Sequence, residues 1–215
     1  VGGPNPAFIA FNADVEWDSY LCVGSETDAV SVSPGPDGAD AIAAWGVSES
    51  VGFETTNGAI FYMDPGNGPA AGGALTFAQL TVPDATYSAG GSAQAALTGR
   101  TADAEWTLNA AWAWTAAGGE EPAPAPAPAP GGGGTSTDGC SVEVMGTDGT
   151  AAGGYTTIKL KCELPAEATN VYVMAGTEDY GMSFPAAFQV PAPFGSDVGG
   201  PNSAFIAFNA DVEWD

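Results

Sequence analysis

The chain has 215 residues, with 26 acidic side chains against Arg100, Lys159 and Lys161 and no histidine, for a formal net charge of −23. Such a surface repels nucleic acid and anionic membranes and attracts cations, and the missing histidine excludes a histidine-based triad and histidine metal sites. Hydrophobic residues make up 45% of the chain, too many for general disorder, yet no apolar run approaches the ~18 residues of a membrane-spanning helix.

Residues 1–18, VGGPNPAFIAFNADVEWD, return as residues 198–215 with one change, Pro6 to Ser203. Alternation over AFIAFNADVEWD predicts a strand at 7–13 and its copy at 204–210. Ile9, Phe11, Ala13, Val15 and Trp17 then form an apolar face, and Asn12, Asp14, Glu16 and Asp18 an acidic one. The copy repeats the acidic side with Asn209, Asp211, Glu213 and Asp215. An offset of 197 residues, Val1 to Val198, is no short-period solenoid. It reads as one full period of a tandem array plus an overlap into the next. The alternative is a short subunit whose end segments pair, or polymerise by strand exchange.

A strand is expected at 19–24, carrying Cys22 in the apolar setting SYLCVG. This odd cysteine is either an intermolecular partner or a buried spectator, and its surroundings favour the spectator. Residues 40–47, DAIAAWGV, fit a strand or a short helix. Further strands are expected at 58–63, 74–82, 92–99 and 104–115. In the last of these, AEWTLNAAWAW places Trp106, Leu108, Ala110, Trp112 and Trp114 on one face. Three tryptophans in a row either stack sugar rings, as in carbohydrate-binding modules, or fill the space between two sheets. Core filling is favoured, because large aromatics dominate burial.

The stretch EEPAPAPAPAPGGGGTSTDG, Glu120 to Gly139, is a linker. Alternating Pro and Ala favours an extended polyproline helix rising about 3.1 Å per residue, and Gly131 to Gly134 act as a swivel. Beyond it, CSVEVMGTDGTAAGGYTTIKLKC reads as a hairpin over 140–146 and 155–163. One register sets Val144 opposite Ile158, Val142 opposite Leu160 and Cys140 opposite Cys162, with Glu143 opposite Lys159 on the other face. Agreement of apolar pairs, charge pair and cysteines predicts a Cys140–Cys162 disulfide and an oxidising compartment, against the alternative of two buried thiols. Strands at 169–176 and 186–190 complete the set. The fold class is therefore all-β, an antiparallel β-sandwich of jelly-roll type. The chain divides into residues 1–121, the front part of one β module; 122–137, the Pro-Ala/Gly linker; and 138–215, the back part of a β module, with 198–215 repeating 1–18. Cut at the linker, the period gives a module of about 180 residues.

No cofactor is indicated except structural calcium, for which Asp14, Glu16, Asp18, Asp37, Asp40, Asp64 and Asp148 are candidate ligands. Calcium takes about six to eight oxygens, whereas same-face carboxylates on a strand stand roughly 7 Å apart; turn chemistry explains the loops TDG, PDGAD and MDPGNG equally well. The chain has no phosphate-binding loop, dinucleotide fingerprint or nucleophile elbow, and among so many acids a glycosidase-like carboxylate pair has no specificity. No enzyme is expected.

Residues 170–215, NVYVMAGTEDYGMSFPAAFQVPAPFGSDVGGPNSAFIAFNADVEWD, together with DSYLCVG at 18–24 and NGAIFYMDPGNGPA at 57–70, resemble repeated modules in large secreted or surface proteins of marine algae and other protists. The shared features are a Tyr-x-(Met/Leu)-x-Gly-Thr strand, a Pro-x-x-(Phe/Tyr)-Gln-Val segment, a GG-x-NP-x-F element and an Asp-Ser-(Trp/Tyr)-Leu turn. The resemblance covers about half of the period and implies an extracellular repeat module, with no activity or catalytic residue. The Pro-Ala stretch is similar to hydroxyproline glycomodules of plant and algal wall proteins, which makes Pro122, Pro124, Pro126, Pro128 and Pro130 candidates for hydroxylation and O-glycosylation. The expected role is a structural subunit of an extracellular filament, surface appendage or matrix, with copies of itself as partners. A carbohydrate-binding adhesion module with glycans as partners is the second reading. Neither nucleic acid nor membrane insertion is expected.

Overall fold

A computed structural model describes residues 9, 11–33, 36–114, 139–147 and 153–190. The linker with its five candidate prolines, Asp148, the side chain of Asp37 and the whole second copy at 198–215 lie outside the described residues.

In chain order the strands are β1 (Tyr20–Gly24), β2 (Ser31–Val32), β3 (Phe53–Thr55), β4 (Ala59–Phe61), β5 (Ala74–Pro83), β6 (Gly91–Arg100), β7 (Glu105–Trp114), β8 (Cys140–Thr147), β9 (Tyr155–Glu163), β10 (Asn170–Ala175) and β11 (Met182–Phe184). Among the described residues, two short α-helices, α1 (Ala41–Trp45) and α2 (Asp84–Ala89), fall between them. The strands form two antiparallel sheets. One has the order β1-β5-β9-β8; the other runs β2-β4-β10-β6-β11-β3, with β7 also on β6. From the register, β10 and β11 lie along one edge of β6 and β7 along the other. Residues 40–47 resolve as helix over Ala41–Trp45, with Ile42 and Trp45 buried.

The core lies between the sheets. Leu21, Phe77, Leu80, Ile158 and Leu160 come from the first sheet and meet Leu97, Trp112, Met174 and Phe184 from the second. Strand alternation is the cause: along β9, Ile158, Leu160 and Cys162 point inward while Lys159 and Lys161 stay partly exposed. Strand β6 is rich in small residues because β7 is not. In the β6–β7 register Gly91 faces Trp114, Ala93 faces Trp112, and Gly99 faces Trp106. The indoles occupy the room that small partners leave.

The hairpin register is as the sequence predicts from Cys140↔Cys162 to Val144↔Ile158, after which it slips before Gly146↔Thr157. Cys140 and Cys162 are disulfide-bonded across a sequence separation of 22. Two details differ from expectation. Val144 is 48% exposed, because β8 is the edge strand of its sheet and the slip begins there. Glu143 stands opposite Lys159 but pairs with Lys161 instead, since Lys159 is held at 2.6 Å by Glu26 from beyond β1. A cross-link closing a loop of this size constrains the unfolded chain by about 3 kcal/mol. Replacing Cys140 and Cys162 together with alanine is expected to lower the unfolding free energy by that amount, read from urea midpoints of oxidised wild type and variant.

Two strand expectations fail. Residues 186–190 form no strand; the strand is Met182–Phe184, which pairs with β3. Pro185 ends it by removing a donor. Phe188 still bonds to its surroundings, its N–H donating to Thr81 O at 2.7 Å and its carbonyl accepting from Ser19 N–H at 3.2 Å. The strand expected at 7–13 is not formed by its described residues, 9 and 11–13, either. Ala13–Trp17 is a 3-10 helix, so the alternation of its apolar and acidic residues does not set two faces. Phe11, expected inside, is 78% exposed, whereas Val15 is buried.

Candidate functional site

Residues 11–18 of the duplicated sequence are seated against the four-stranded sheet. Asn12 starts the helical turn: its side-chain oxygen accepts from Asp14 N–H at 3.0 Å, an N-cap with Asp14 and Glu16 in the first turn, where carboxylates favour the N-terminal dipole. The turn lies on the face of the four-stranded sheet that points away from the other sheet. That face carries one row of cross-strand partners, Tyr20, Gln79, Lys159 and Glu143. Gln79 clamps the turn, its Nε2 donating to the carbonyls of Glu16 and Asp18, both at 3.0 Å. Asp18 is buried, and its carboxylate accepts from Val190 N–H at 2.8 Å. Ser19 Oγ accepts from Thr81 N–H at 2.9 Å. The segment therefore covers the outer face of the sheet and ties β5 to the stretch ending at Val190.

Beside it, the Tyr20 hydroxyl donates to Glu26 Oε1 at 2.8 Å, and Lys159 reaches the same oxygen. Cys22 lies on this outer side, fully buried, with its Sγ 3.2 Å from Thr76 O. Burial pushes its thiol well above the ordinary range, which is the state of an inert buried thiol.

The sequence candidates for calcium part company here. Asp18 is turned to Val190 N–H. Asp64 caps its own turn, accepting from Gly66 N–H at 2.8 Å. Asp14, Glu16 and Asp40 lie on short helical turns, and no group of three or more acidic or cysteine side chains comes together to hold a metal among the described residues. The three tryptophans of β7 are all buried. Trp112 packs on Phe77 of the opposite sheet at 6.2 Å between centroids, and its indole donates to Lys161 O at 2.9 Å. A sugar has no access to these faces, so the stacking role is set aside. No family model, curated protein or solved structure matches this chain.

Sequence reasoning missed Gln79 and the Asp18–Val190 contact. The signals present were a lone amide in the apolar strand LTFAQLTV and an Asn followed by acids, which marks a helical start.

Five tyrosines add a pH dependence. Burial raises Tyr20, Tyr62, Tyr155, Tyr172 and Tyr180, and for all but Tyr180 a neighbouring carboxylate (Glu26, Asp28, Glu49 and Glu105 in turn) raises them further. An unfolded tyrosine loses its proton near pH ~10 while these keep theirs in the fold. Stability is thus fully present below that pH and falls as pH rises beyond it. Urea midpoints at about pH 9 and about pH 11 are expected to show the drop, with a rise in tyrosinate absorbance accompanying unfolding.

Proposed function

We propose that this chain is a structural repeat unit of an extracellular filament, surface appendage or matrix, built from β-sandwich modules. The observation that carries the reading is the return of 17 of 18 residues at an offset of 197, the mark of a tandem array. Supporting it are the two-sheet module, the Cys140–Cys162 disulfide and the large excess of acidic side chains. A disulfide fits an oxidising compartment, and among the described residues no helix is long and apolar enough to cross a membrane. The sheets and the disulfide resist unfolding, the Pro-Ala segment joins the front and back parts that pair in those sheets and carries the candidate O-glycans, and the acidic side chains hold cations and water. Immunogold labelling of native material with antibodies against the recombinant chain tests this. Gold at regular intervals along an extracellular fibre is the expected result; label confined to the cell interior, on chains of 21.3 kDa that do not assemble, would sink it.

A further inference from the structure

We propose that the halves on either side of residues 115–138 are exchangeable between copies of this chain, so that residues 139–190 of one copy complete the two sheets of another. The inference stands on strand order and goes beyond the filament reading by giving such an assembly a joint.

Strand pairing divides sharply at that point. Among the described residues of 11–114 the ladders are β1–β5, β2–β4 and β6–β7, and β3 has no partner strand there. Within residues 139–190 the one ladder among described strands is β8–β9. All the others cross between halves: β5–β9, β4–β10, β6–β10, β6–β11 and β3–β11. Neither half alone holds a sheet of three described strands, and two-stranded ladders are marginal in water. Each half is what the other lacks.

Side chains repeat the pattern. Three indoles of the front half donate to backbone carbonyls of the back half: Trp45 to Pro185, Trp106 to Asn170 and Trp112 to Lys161. Tyr180 returns the favour, its hydroxyl donating to Ala110 O, and Lys159 pairs with Glu26. No redox step is needed to separate the halves, because the disulfide lies wholly in the back half and Cys22 is free in the front. What favours a half of the same copy over an identical half of another is then only the covalent tether, which sets an effective concentration. A second copy at comparable concentration offers identical contacts. Net charge opposes that approach, so exchange between copies favours high salt.

Two experiments test the exchange. A protease site is inserted between Pro130 and Gly131 of the full chain, and the folded protein is nicked. Isotope-labelled and unlabelled samples are mixed, unfolded in urea without reductant and refolded. Native mass spectrometry is expected to find 1:1 pairs of front and back pieces with the labels mixed. Pieces that fail to re-pair, or pairs that keep their original labels, overturn the proposal. In the second experiment, full-length Leu80→Asp and Leu160→Asp chains, each broken in a different half, are refolded together at high salt. A species of two chains with half the wild-type near-ultraviolet tryptophan signal per chain is expected. A spectrum equal to the mean of the two separate variants, with no two-chain species, counts against it. Failure here leaves the filament reading standing, since covalently joined modules need no exchange.

Discussion

Trp112→Ala is expected to lower the unfolding free energy by about 4 kcal/mol, the range for deleting a fully enclosed large aromatic. The ring is 2% exposed and lies between the sheets, tilted against Phe77 at 6.2 Å and Phe184 at 6.5 Å. Alanine removes that contact and leaves a cavity which two hydrogen-bonded sheets cannot close by moving together. It also removes the donor to Lys161 O. Trp112→Phe separates the two effects: it keeps most of the apolar volume and loses only the hydrogen bond, for a cost of about 1–2 kcal/mol. Urea midpoints at constant slope give both numbers. A Trp112→Ala protein as stable as wild type would mean that the ring lies outside the core, and would reopen the sugar-stacking reading of β7.

The parts of this fold that were legible in sequence are those where several local constraints agree. In the 140–162 hairpin, alternation, two cysteines and a charge pattern all select one register, and a one-residue slip would turn every core residue outward. The ion pair was misread because Lys159 is claimed by Glu26, whose position depends on β1 packing beside β5, a fact no hairpin contains. Strands β2, β3 and β11 are only two or three residues long; their partners define them, and so short a run has no period to detect. The repeated segment failed for another reason. FNADVEW alternates in polarity, yet it also carries a capping Asn and early acids, and the helical start prevailed because Gln79 and Val190 N–H take up the groups at its end. For the seat, the residues were visible but their meeting was not. Asp18 and Val190 meet across 172 residues, a contact that only the completed sheets create.

Gly99→Ala is expected to cost about 4 kcal/mol, an exceptional value for so small a change. The backbone there is ordinary extended strand, so the argument is one of space. Gly99 pairs with Val171 on one side and Trp106 on the other. A Cβ would overlap the carbonyl oxygen of Asn170 and Cζ2 of Trp106, and sit 2.6 Å from Trp106 Cε2. Neither neighbour can withdraw freely: the carbonyl belongs to β10, and the indole is fixed by donating to Arg100 O and Asn170 O at 3.1 and 3.2 Å. Gly72→Ala is the control, with nothing within 4 Å of the added carbon and an expected change within about 0.5 kcal/mol. Adding Trp106→Ala to Gly99→Ala removes the ring clash but leaves the carbonyl clash, so the double variant should be less destabilised than the sum of the singles. Strict additivity in thermal or urea unfolding would show that the indole does not lie over Gly99. The pairing of small β6 residues with large β7 rings would then lose its physical basis.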